Sequence, residues 1–323
     1  MTRPRIVVTR RLPKAVEAAV VERFDAVLAP TDAPTDAAAL QRALGEADGI
    51  LCTVTDRFTA EVLAAYPKQT RILANFGVGT DNIDLEAAAA HGITVTNTPD
   101  VLTDDTADLA MMLVLMAMRR ASEGEREVRG GRWTGWRPTH LLGHRVTGAT
   151  LGIVGLGRIG QAVARRASRG FGMRVLGWGR TMPHPTQLAA LGVEAMPTLH
   201  ALLAEADVVS LHVPSTPGTR GLIGAPEIAR MKPGAVLVNT ARGDVLDEEA
   251  LHAALVAGHL SGAGLDVYRG EPKVNPKLLG LERAALLPHL GSATIETREA
   301  MGMMAIANLE AFFRGEAPPN RVG

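Results

Sequence analysis

Short apolar runs alternate with longer alanine-rich stretches along the chain. The runs have the length of β-strands and are rich in valine and isoleucine, whereas the stretches between them favour helices. Strands that alternate with helices in this way form a parallel sheet that helices cover. The pattern therefore predicts an α/β fold, with early strands at residues 6–8, 49–54, 71–74 and 93–96.

The central region repeats the alternation often enough for a whole doubly wound domain. We place six strands there, which fits one doubly wound domain. The length of 323 residues exceeds what one hydrophobic core usually supports, so two domains are expected. The six central strands are predicted at residues 149–154, 173–178, 207–212, 235–239, 262–267 and 284–287.

An uncharged apolar run at residues 109–118 precedes the central region. It is much shorter than the roughly 20 residues needed to cross a bilayer, so it predicts a buried helix. Asp104 and Asp105 suit the N-terminus of that helix, where carboxylates meet the positive end of the dipole. Four methionines in the run are interpreted as core filler: residues 111, 112, 116 and 118.

The polar segment at residues 123–148 interrupts the alternation and contains Trp133 and Trp136. Tryptophans are costly to leave in water, so we favour an arm that packs on another subunit. The alternative is that both tryptophans pack on their own chain. His140 and His144 have a spacing that can suggest a metal site, but Gly143 weakens a helix there and no third ligand is evident, so we predict no metal.

Charge and cysteine content narrow the function classes. Lysine plus arginine and aspartate plus glutamate both total 34, which leaves no net field to attract nucleic acid or an anionic membrane. Cys52 is the one cysteine, so no internal disulfide can form, and the first residues lack the apolar stretch of a signal peptide. We expect a cytoplasmic protein that binds a small molecule.

A glycine-rich fingerprint follows the first central strand. Its glycines allow a tight turn and a close approach to a pyrophosphate, which then lies at the N-terminus of the next helix. The context of strand, loop and helix favours dinucleotide binding over an ordinary glycine turn. The fingerprint consists of Gly155, Leu156, Gly157, Arg158, Ile159 and Gly160.

The end of the second central strand bears on the choice of cofactor. A site for NAD usually has an acidic residue there to bind the ribose 2′-hydroxyl, and this chain has none. Gly179 leaves room, while Arg180 and Thr181 could donate hydrogen bonds to a 2′-phosphate. We predict that NADP(H) is preferred over NAD(H); the alternative is that Arg180 is a solvated surface charge.

Arg242, Glu271 and His289 each follow a predicted strand, on the side where open α/β sheets bind ligands. A guanidinium could grip the carboxylate and carbonyl of a 2-oxo acid, although a structural salt bridge is the competing interpretation for Arg242. If Glu271 lies beside the imidazole, it would stabilise protonated His289 as a general acid.

An ordered set of motifs closely resembles the D-isomer-specific 2-hydroxyacid dehydrogenases, and within them the glyoxylate and hydroxypyruvate reductases. The resemblance covers essentially the whole chain. It implies two Rossmann-like doubly wound domains, with a cofactor domain at 99–289 inserted into a substrate domain made of 1–98 and 290–323, and the active site in the cleft. The motifs are residues 75–84, 97–103, the fingerprint, 241–243, 262–267, 271–272 and 288–289.

The resemblance also implies roles for individual residues. Arg242, Glu271 and His289 would be catalytic, with Arg242 on the substrate and Glu271 orienting His289. A dimerisation arm at about 120–147 would form a homodimer, in which Trp136 could reach the partner's active site. Substrate would also contact Val54, Val78 and Gly79, and the cofactor would contact the fingerprint, Thr106, Gly179, Arg180, Thr181, His212, Val213, Pro214, Thr240, Ala241, Arg242, Asp266, His289 and Gly291.

These expectations define an NADPH-dependent reductase that converts glyoxylate to glycolate and hydroxypyruvate to D-glycerate. One alternative keeps the chemistry but takes a bulkier or aromatic 2-oxo acid, which the shape of the loop at residues 52–55 would decide. A second alternative is a dinucleotide-sensing regulator that binds partner proteins without turnover. The intact Arg, Glu and His set does not exclude it.

Overall fold

The computed structural model describes residues 3–64 and 69–322. The chain divides into two compact units, of which the first combines Met1–Leu102 with Ala293–Gly323 and the second is Thr103–Ser292. The second unit is thus inserted into the sequence of the first. Each is an α/β domain built on a mostly parallel sheet, as the hydrophobic pattern predicts.

The first unit contains a six-stranded sheet in the order β13-β5-β4-β3-β1-β2, in which only β13 is antiparallel to its neighbour. Strands β3 and β4 lie at the centre and are almost completely buried. The strands are β1 (Arg5–Val8), β2 (Asp25–Val27), β3 (Gly49–Thr53), β4 (Ile72–Phe76), β5 (Thr94–Thr96) and β13 (Arg321–Val322).

Helices cover both faces of this sheet. Side-chain caps begin several of them: the Asp36, Asp84 and Thr294 side chains accept hydrogen bonds from backbone N–H groups three residues later. The returning C-terminal helix packs closely on the first helix, where Gly302 lies against Val16. The helices are α1 (Lys14–Arg23), α2 (Ala37–Glu46), α3 (Ala60–Ala64), α4 (Leu85–Ala90) and α13 (Ile295–Phe313).

The second unit contains a fully parallel seven-stranded sheet in the order β12-β11-β10-β9-β6-β7-β8. The six predicted strands are present within a few residues, but the count of six was wrong because β8 is only three residues long and has one buried position. The strands are β6 (Thr150–Val154), β7 (Arg174–Trp178), β8 (Val193–Ala195), β9 (Val208–Leu211), β10 (Ala235–Asn239), β11 (Leu260–Leu265) and β12 (Ala284–Leu286).

Helices α5 and α7 pack side by side on one face of this sheet, and Asp104 and Asp105 lie in the first turn of α5 as predicted. A 3₁₀ turn spans Gly243–Val245. The helices are α5 (Thr103–Met118), α6 (Ala121–Arg129), α7 (Arg158–Phe171), α8 (Pro185–Leu191), α9 (Leu199–Glu205), α10 (Ala225–Ile228), α11 (Glu248–Val256) and α12 (Pro276–Leu279).

The methionines of α5 do not all fill the core. Met111 and Met118 are buried, whereas 39% of Met112 is exposed, so the prediction was wrong for Met112. Within residues 3–64 and 69–322, none of the helices is long and apolar enough to cross a membrane.

The interrupting segment begins as a helix, α6, and continues without regular structure to the start of β6. Trp133 is 54% exposed and Trp136 is 83% exposed. This exposure contradicts the alternative in which both tryptophans pack on their own chain. His140 Nε2 lies 2.8 Å from Glu127 Oε2, so this imidazole is engaged by a carboxylate on α6.

Candidate active site

His289 and Glu271 form a hydrogen-bonded pair, with 2.8 Å between His289 Nδ1 and Glu271 Oε2. The other carboxylate oxygen of Glu271 accepts a 2.8 Å hydrogen bond from the Tyr268 N–H, which fixes the carboxylate in one orientation. Both side chains are partly exposed, so Nε2, on the opposite edge of the imidazole, is available for chemistry. This is the geometry of a general acid oriented by a carboxylate.

Several groups determine the ionisation of Glu271. Burial opposes its charged form, but hydrogen bonds from His289 and from the Tyr268 N–H, with the positive charge of Arg242, outweigh burial and lower the pKa of Glu271 below its usual value. Glu271 is therefore a carboxylate at neutral pH, the form that can support a protonated imidazole.

The backbone that carries His289 is held by Asp266, directly after β11. The His289 N–H donates to the Asp266 carbonyl at 2.9 Å, and the Asp266 carboxylate accepts from the N–H groups of Leu290 at 2.7 Å and Gly291 at 2.9 Å. His289 adopts a left-handed conformation with φ of 55°. Asp266, which the family resemblance implies as a cofactor contact, thus anchors the loop that carries His289. Burial raises the pKa of Asp266.

Arg242 is presented by the turn after β10. Asn239 braces this turn, since its Nδ2 donates to the Arg242 carbonyl and its Oδ1 accepts from the Ala241 N–H, both at 2.9 Å. The guanidinium donates to the Ala241 carbonyl at 2.8 Å, and its charge acts on Glu271. The structure therefore brings the three predicted catalytic residues into one electrostatic environment within the second unit.

A brace that sequence reasoning missed joins the Arg242 turn to the Glu271 loop. A Cβ on Gly243 would lie 1.9 Å from the Tyr268 carbonyl carbon, so only glycine fits there. Buried Glu248 accepts a 2.7 Å hydrogen bond from the Arg269 N–H, and the Tyr268 hydroxyl donates to the Leu287 carbonyl at 2.9 Å. The sequence signal was Gly243 itself, directly after the arginine.

The fingerprint has the features that a dinucleotide site requires. Gly155 has φ of 100°, and a Cβ on Gly160 would lie 2.1 Å from the Gly155 carbonyl oxygen. Gly157 caps α7 without any side-chain hydrogen bond, and a Cβ there would meet nothing within 4 Å. The N–H groups of the first turn of α7 therefore face open space at the positive end of the dipole, where a pyrophosphate fits.

Further predicted cofactor residues surround this loop. A Cβ on Gly155 would lie 2.6 Å from the His212 carbonyl oxygen, so residues 212–214 border the fingerprint. Burial lowers the pKa of His212 to about 4, which keeps it neutral, and its Nε2 is 2.8 Å from the Ser210 hydroxyl. Thr240 Oγ1 is a buried polar atom with no hydrogen-bond partner among the described residues. Such an atom fits a site that a polar ligand completes.

The remaining predicted cofactor residues lie at two other places in the second unit. Gly179, after β7, approaches Gly155, since a Cβ there would lie 3.7 Å from its Cα, and Arg180 and Thr181 beside it are exposed. Thr106 donates a 2.9 Å hydrogen bond to the Gly291 carbonyl and so lies beside the His289 loop. Room and positive charge are thus present where a 2′-phosphate was predicted.

The predicted substrate residues of the first unit also lie together. A Cβ on Gly77 would be 2.3 Å from Val54 Cγ1, which places the end of β3 against the loop that carries Val78 and Gly79. Val54 is 38% exposed and Val78 and Gly79 are partly exposed. Trp136 lies in the second unit, on the arm.

The doubly wound sheet, the glycine fingerprint and the Arg, Glu and His constellation define a dinucleotide-dependent dehydrogenase. The sequence model for the NAD-binding domain of D-isomer-specific 2-hydroxyacid dehydrogenases matches residues 111–291. The chain belongs to this family and is an enzyme of it.

Relatives and solved structures are similar to this chain over nearly its full length. A glyoxylate reductase of Korarchaeum cryptofilum is 47% identical over 99% of this chain and 96% of its own. A structure from Polaromonas, described as a putative D-isomer-specific 2-hydroxyacid dehydrogenase, has a TM-score of 0.93 at 39% identity and covers 99% of this chain and 100% of its own. An NADPH-dependent glyoxylate/hydroxypyruvate reductase from Sinorhizobium meliloti, solved with NADP and malonate, has a TM-score of 0.87 at 37% identity and covers 100% of this chain and 97% of its own.

Proposed function

We propose that this enzyme reduces small 2-oxo acids, glyoxylate and hydroxypyruvate first, with NADPH as its preferred cofactor. The observation that carries the proposal is the His289–Glu271 hydrogen bond of 2.8 Å, on a loop that Asp266 holds in place. The glyoxylate reductase relative and the NADPH-dependent structural neighbour support the substrate class and the cofactor.

The chemistry that bound NADPH supplies is a hydride for the carbonyl carbon, which becomes a secondary or primary alcohol carbon. Protonated His289 gives its Nε2 proton to the oxygen on which charge develops, and ionised Glu271 stabilises the imidazolium before the transfer. Arg242 binds the same oxygen and the substrate carboxylate. Hydride, proton and 2-oxo acid together give the 2-hydroxy acid, and hydroxypyruvate gives D-glycerate.

The fingerprint and the N-terminus of α7 would hold the pyrophosphate, and Arg180 would hold the 2′-phosphate. The positive end of the helix dipole and the N–H groups of the first helical turn would attract the diphosphate of either dinucleotide. NADP differs from NAD only by the 2′-phosphate, so the groups after β7 would set the preference between them.

The test of the function is initial-rate oxidation of NADPH and NADH with glyoxylate, hydroxypyruvate, pyruvate and phenylpyruvate. We expect the fastest turnover with NADPH and the two small acids. The His289→Gln variant should lose about 100-fold or more in kcat while it still binds NADPH. Unchanged turnover in that variant would refute the acid role, and preference for phenylpyruvate would identify a bulkier substrate.

Cofactor preference has its own prediction. Arg180→Ala removes the positive charge that we assign to the 2′-phosphate, so the KM for NADPH should rise about 10-fold or more while the KM for NADH changes little. Exposed Arg230, which follows α10 in the same unit, provides a matched control as Arg230→Ala. Equal effects of Arg180→Ala on both dinucleotides would exclude the 2′-phosphate role.

We also propose that the enzyme is a homodimer formed through the arm at about 120–147. Four large apolar side chains of this segment are exposed: Val128, Trp133, Trp136 and Leu142. Exposed apolar residues at this density mark an interaction surface, and a second copy of the chain is the occupant that the family resemblance implies.

A further inference from the structure

The Asn75 side chain is completely buried at the end of β4, behind the loop at residues 77–80. Its Nδ2 donates hydrogen bonds to the Gly79 carbonyl at 2.8 Å and to the Gly77 carbonyl at 3.4 Å. One amide therefore holds two carbonyls of a loop that leaves the sheet, and both point back into the protein.

The carbonyl between them is held as well. Nδ2 of Asn97 donates to the Val78 carbonyl at 2.9 Å, and the Thr98 N–H donates to the Gly77 carbonyl at 3.0 Å. In a planar trans peptide the C=O and N–H bonds point in opposite directions. Fixing the three carbonyls of residues 77–79 towards the protein therefore turns the N–H groups of residues 78–80 the other way.

Three successive N–H groups with a common direction make a concave binding site for an anion. Residues 78–80 are partly exposed, and none of the hydrogen bonds within the described ranges uses their N–H groups. We propose that Asn75 is a positioning residue that aims these donors at the carboxylate of the 2-oxo acid, and that the Thr80 N–H is a third donor beside those of Val78 and Gly79. The inference rests on the proposed function.

A chain of buried hydrogen bonds fixes which way the Asn75 amide faces. Its Oδ1 accepts from Asn82 Nδ2 at 3.3 Å, and the same Nδ2 lies 3.0 Å from the Asp56 carbonyl. The buried Asp56 carboxylate in turn accepts from the Thr53 N–H at 2.7 Å and from the Thr9 hydroxyl at 2.5 Å. Because Oδ1 is engaged behind, Nδ2 must face the loop, so the donors are preorganised before substrate arrives.

The experiment compares wild type with Asn75→Leu, a neutral variant of similar shape that donates no hydrogen bond. Oxalate, a small dianion, is titrated calorimetrically into each enzyme with NADPH bound. We expect oxalate affinity to fall at least about 10-fold, the KM for glyoxylate to rise by a similar factor, and kcat and NADPH affinity to change less than about threefold. Thr70→Val, which removes another buried hydrogen bond in the same unit, should leave oxalate affinity unchanged.

A neutral substrate separates positioning from general damage to the fold. Glyoxylamide lacks the carboxylate, so its kcat/KM should be equal in wild type and Asn75→Leu, and an equal loss for both substrates would overturn the proposal. If Asn75→Leu does not fold, Asn75→Ser replaces it, because one short hydroxyl cannot reach both carbonyls.

Oxalate also separates this inference from the proposed function. If the enzyme turns over none of the 2-oxo acids but the variants bind oxalate more weakly than wild type, the role of Asn75 would be supported. Only the proposed activity would then be contradicted. Unchanged oxalate affinity in Asn75→Leu and Asn75→Ser, or the absence of oxalate binding to wild type, would reject the inference.

Discussion

Glu271 illustrates how a few contacts of one side chain set its chemistry. Burial alone would raise the pKa of this carboxyl, yet hydrogen bonds from His289 and the Tyr268 N–H, together with the charge of Arg242, lower it. The charged form therefore prevails at neutral pH. We propose that its role is to orient and stabilise the protonated imidazole, and that His289 transfers the proton.

Replacing Glu271 by glutamine tests this role. Glu271→Gln keeps the shape but removes the negative charge, so we expect kcat to fall about 10- to 100-fold with little change in KM for NADPH. Steady-state rates over a range of pH provide the measurement. Glu249→Gln, at an exposed carboxylate on α11 that pairs with Lys277, is the control and should keep full activity. Wild-type kcat in Glu271→Gln would contradict the assignment.

The free energy of unfolding should also depend on the ionisation of Glu271. Because the pKa of Glu271 is lowered in the folded state, its contribution is complete above the ordinary carboxyl pKa and is lost as the pH falls through the lowered value. Glu271→Gln should therefore lose less stability on acidification than wild type does, as measured by urea denaturation. An identical pH dependence would show that the native state gains nothing from this ionisation.

At the scale of elements, the packing of the second unit requires α7 to lie close to the strand and loop that precede it. Gly160 permits this approach, whereas Gly157 faces the space that we assign to the dinucleotide. Glycine is thus required at the two positions for different physical reasons: Gly160 permits close packing, and Gly157 leaves room for the ligand.

The two glycines predict opposite phenotypes. Gly160→Ala places a methyl group 2.1 Å from the Gly155 carbonyl oxygen, so the free energy of unfolding should fall by about 1–3 kcal/mol despite the better helix propensity of alanine. Gly157→Ala should change stability by less than about 0.5 kcal/mol but weaken NADPH binding about 10-fold. Denaturation curves and NADPH fluorescence titrations check both, and the reverse pattern would refute the assignment.

The sequence predicts the longer elements because buried strands are runs of apolar residues, which can be recognised without knowledge of the tertiary structure. It misses β2, β8 and β13, each of two or three residues, since so few positions show no periodicity. It also misses α6, which has no buried residue. The side chains that we propose as catalytic follow predictable strands. Contacts such as the hydrogen bond from the Arg269 N–H to Glu248 depend on loops that meet only in the folded chain.

At the scale of the whole molecule, the arm predicts the assembly state. The double variant Trp133→Ser with Trp136→Ser removes the two largest exposed apolar side chains of the arm, so a homodimer should dissociate to monomers in sedimentation velocity experiments. Val256→Ser, at a similarly exposed apolar position on α11, should leave the assembly intact. A wild-type monomer, or a double variant that remains dimeric, would exclude the arm as the interface.

The insertion of one unit into the other has a consequence for how the chain folds. The Thr106 hydroxyl donates to the Gly291 carbonyl at 2.9 Å, so the two ends of the second unit are adjacent. The Thr297 hydroxyl donates to the Val101 carbonyl at 3.2 Å, so the two segments of the first unit that flank the insertion are adjacent as well. Without a folded insert, closing this loop of about 190 residues costs roughly 4–5 kcal/mol of chain entropy.

A folded second unit has already met that cost, because its own contacts hold residues 106 and 291 together. We therefore expect the inserted second unit to fold first and α13 to dock on α1 last. Pulsed hydrogen exchange during refolding should protect the amides of α7 before those of α13. The C-terminal helix, although it belongs to the first unit, would wait for the folding of a domain that it is not part of.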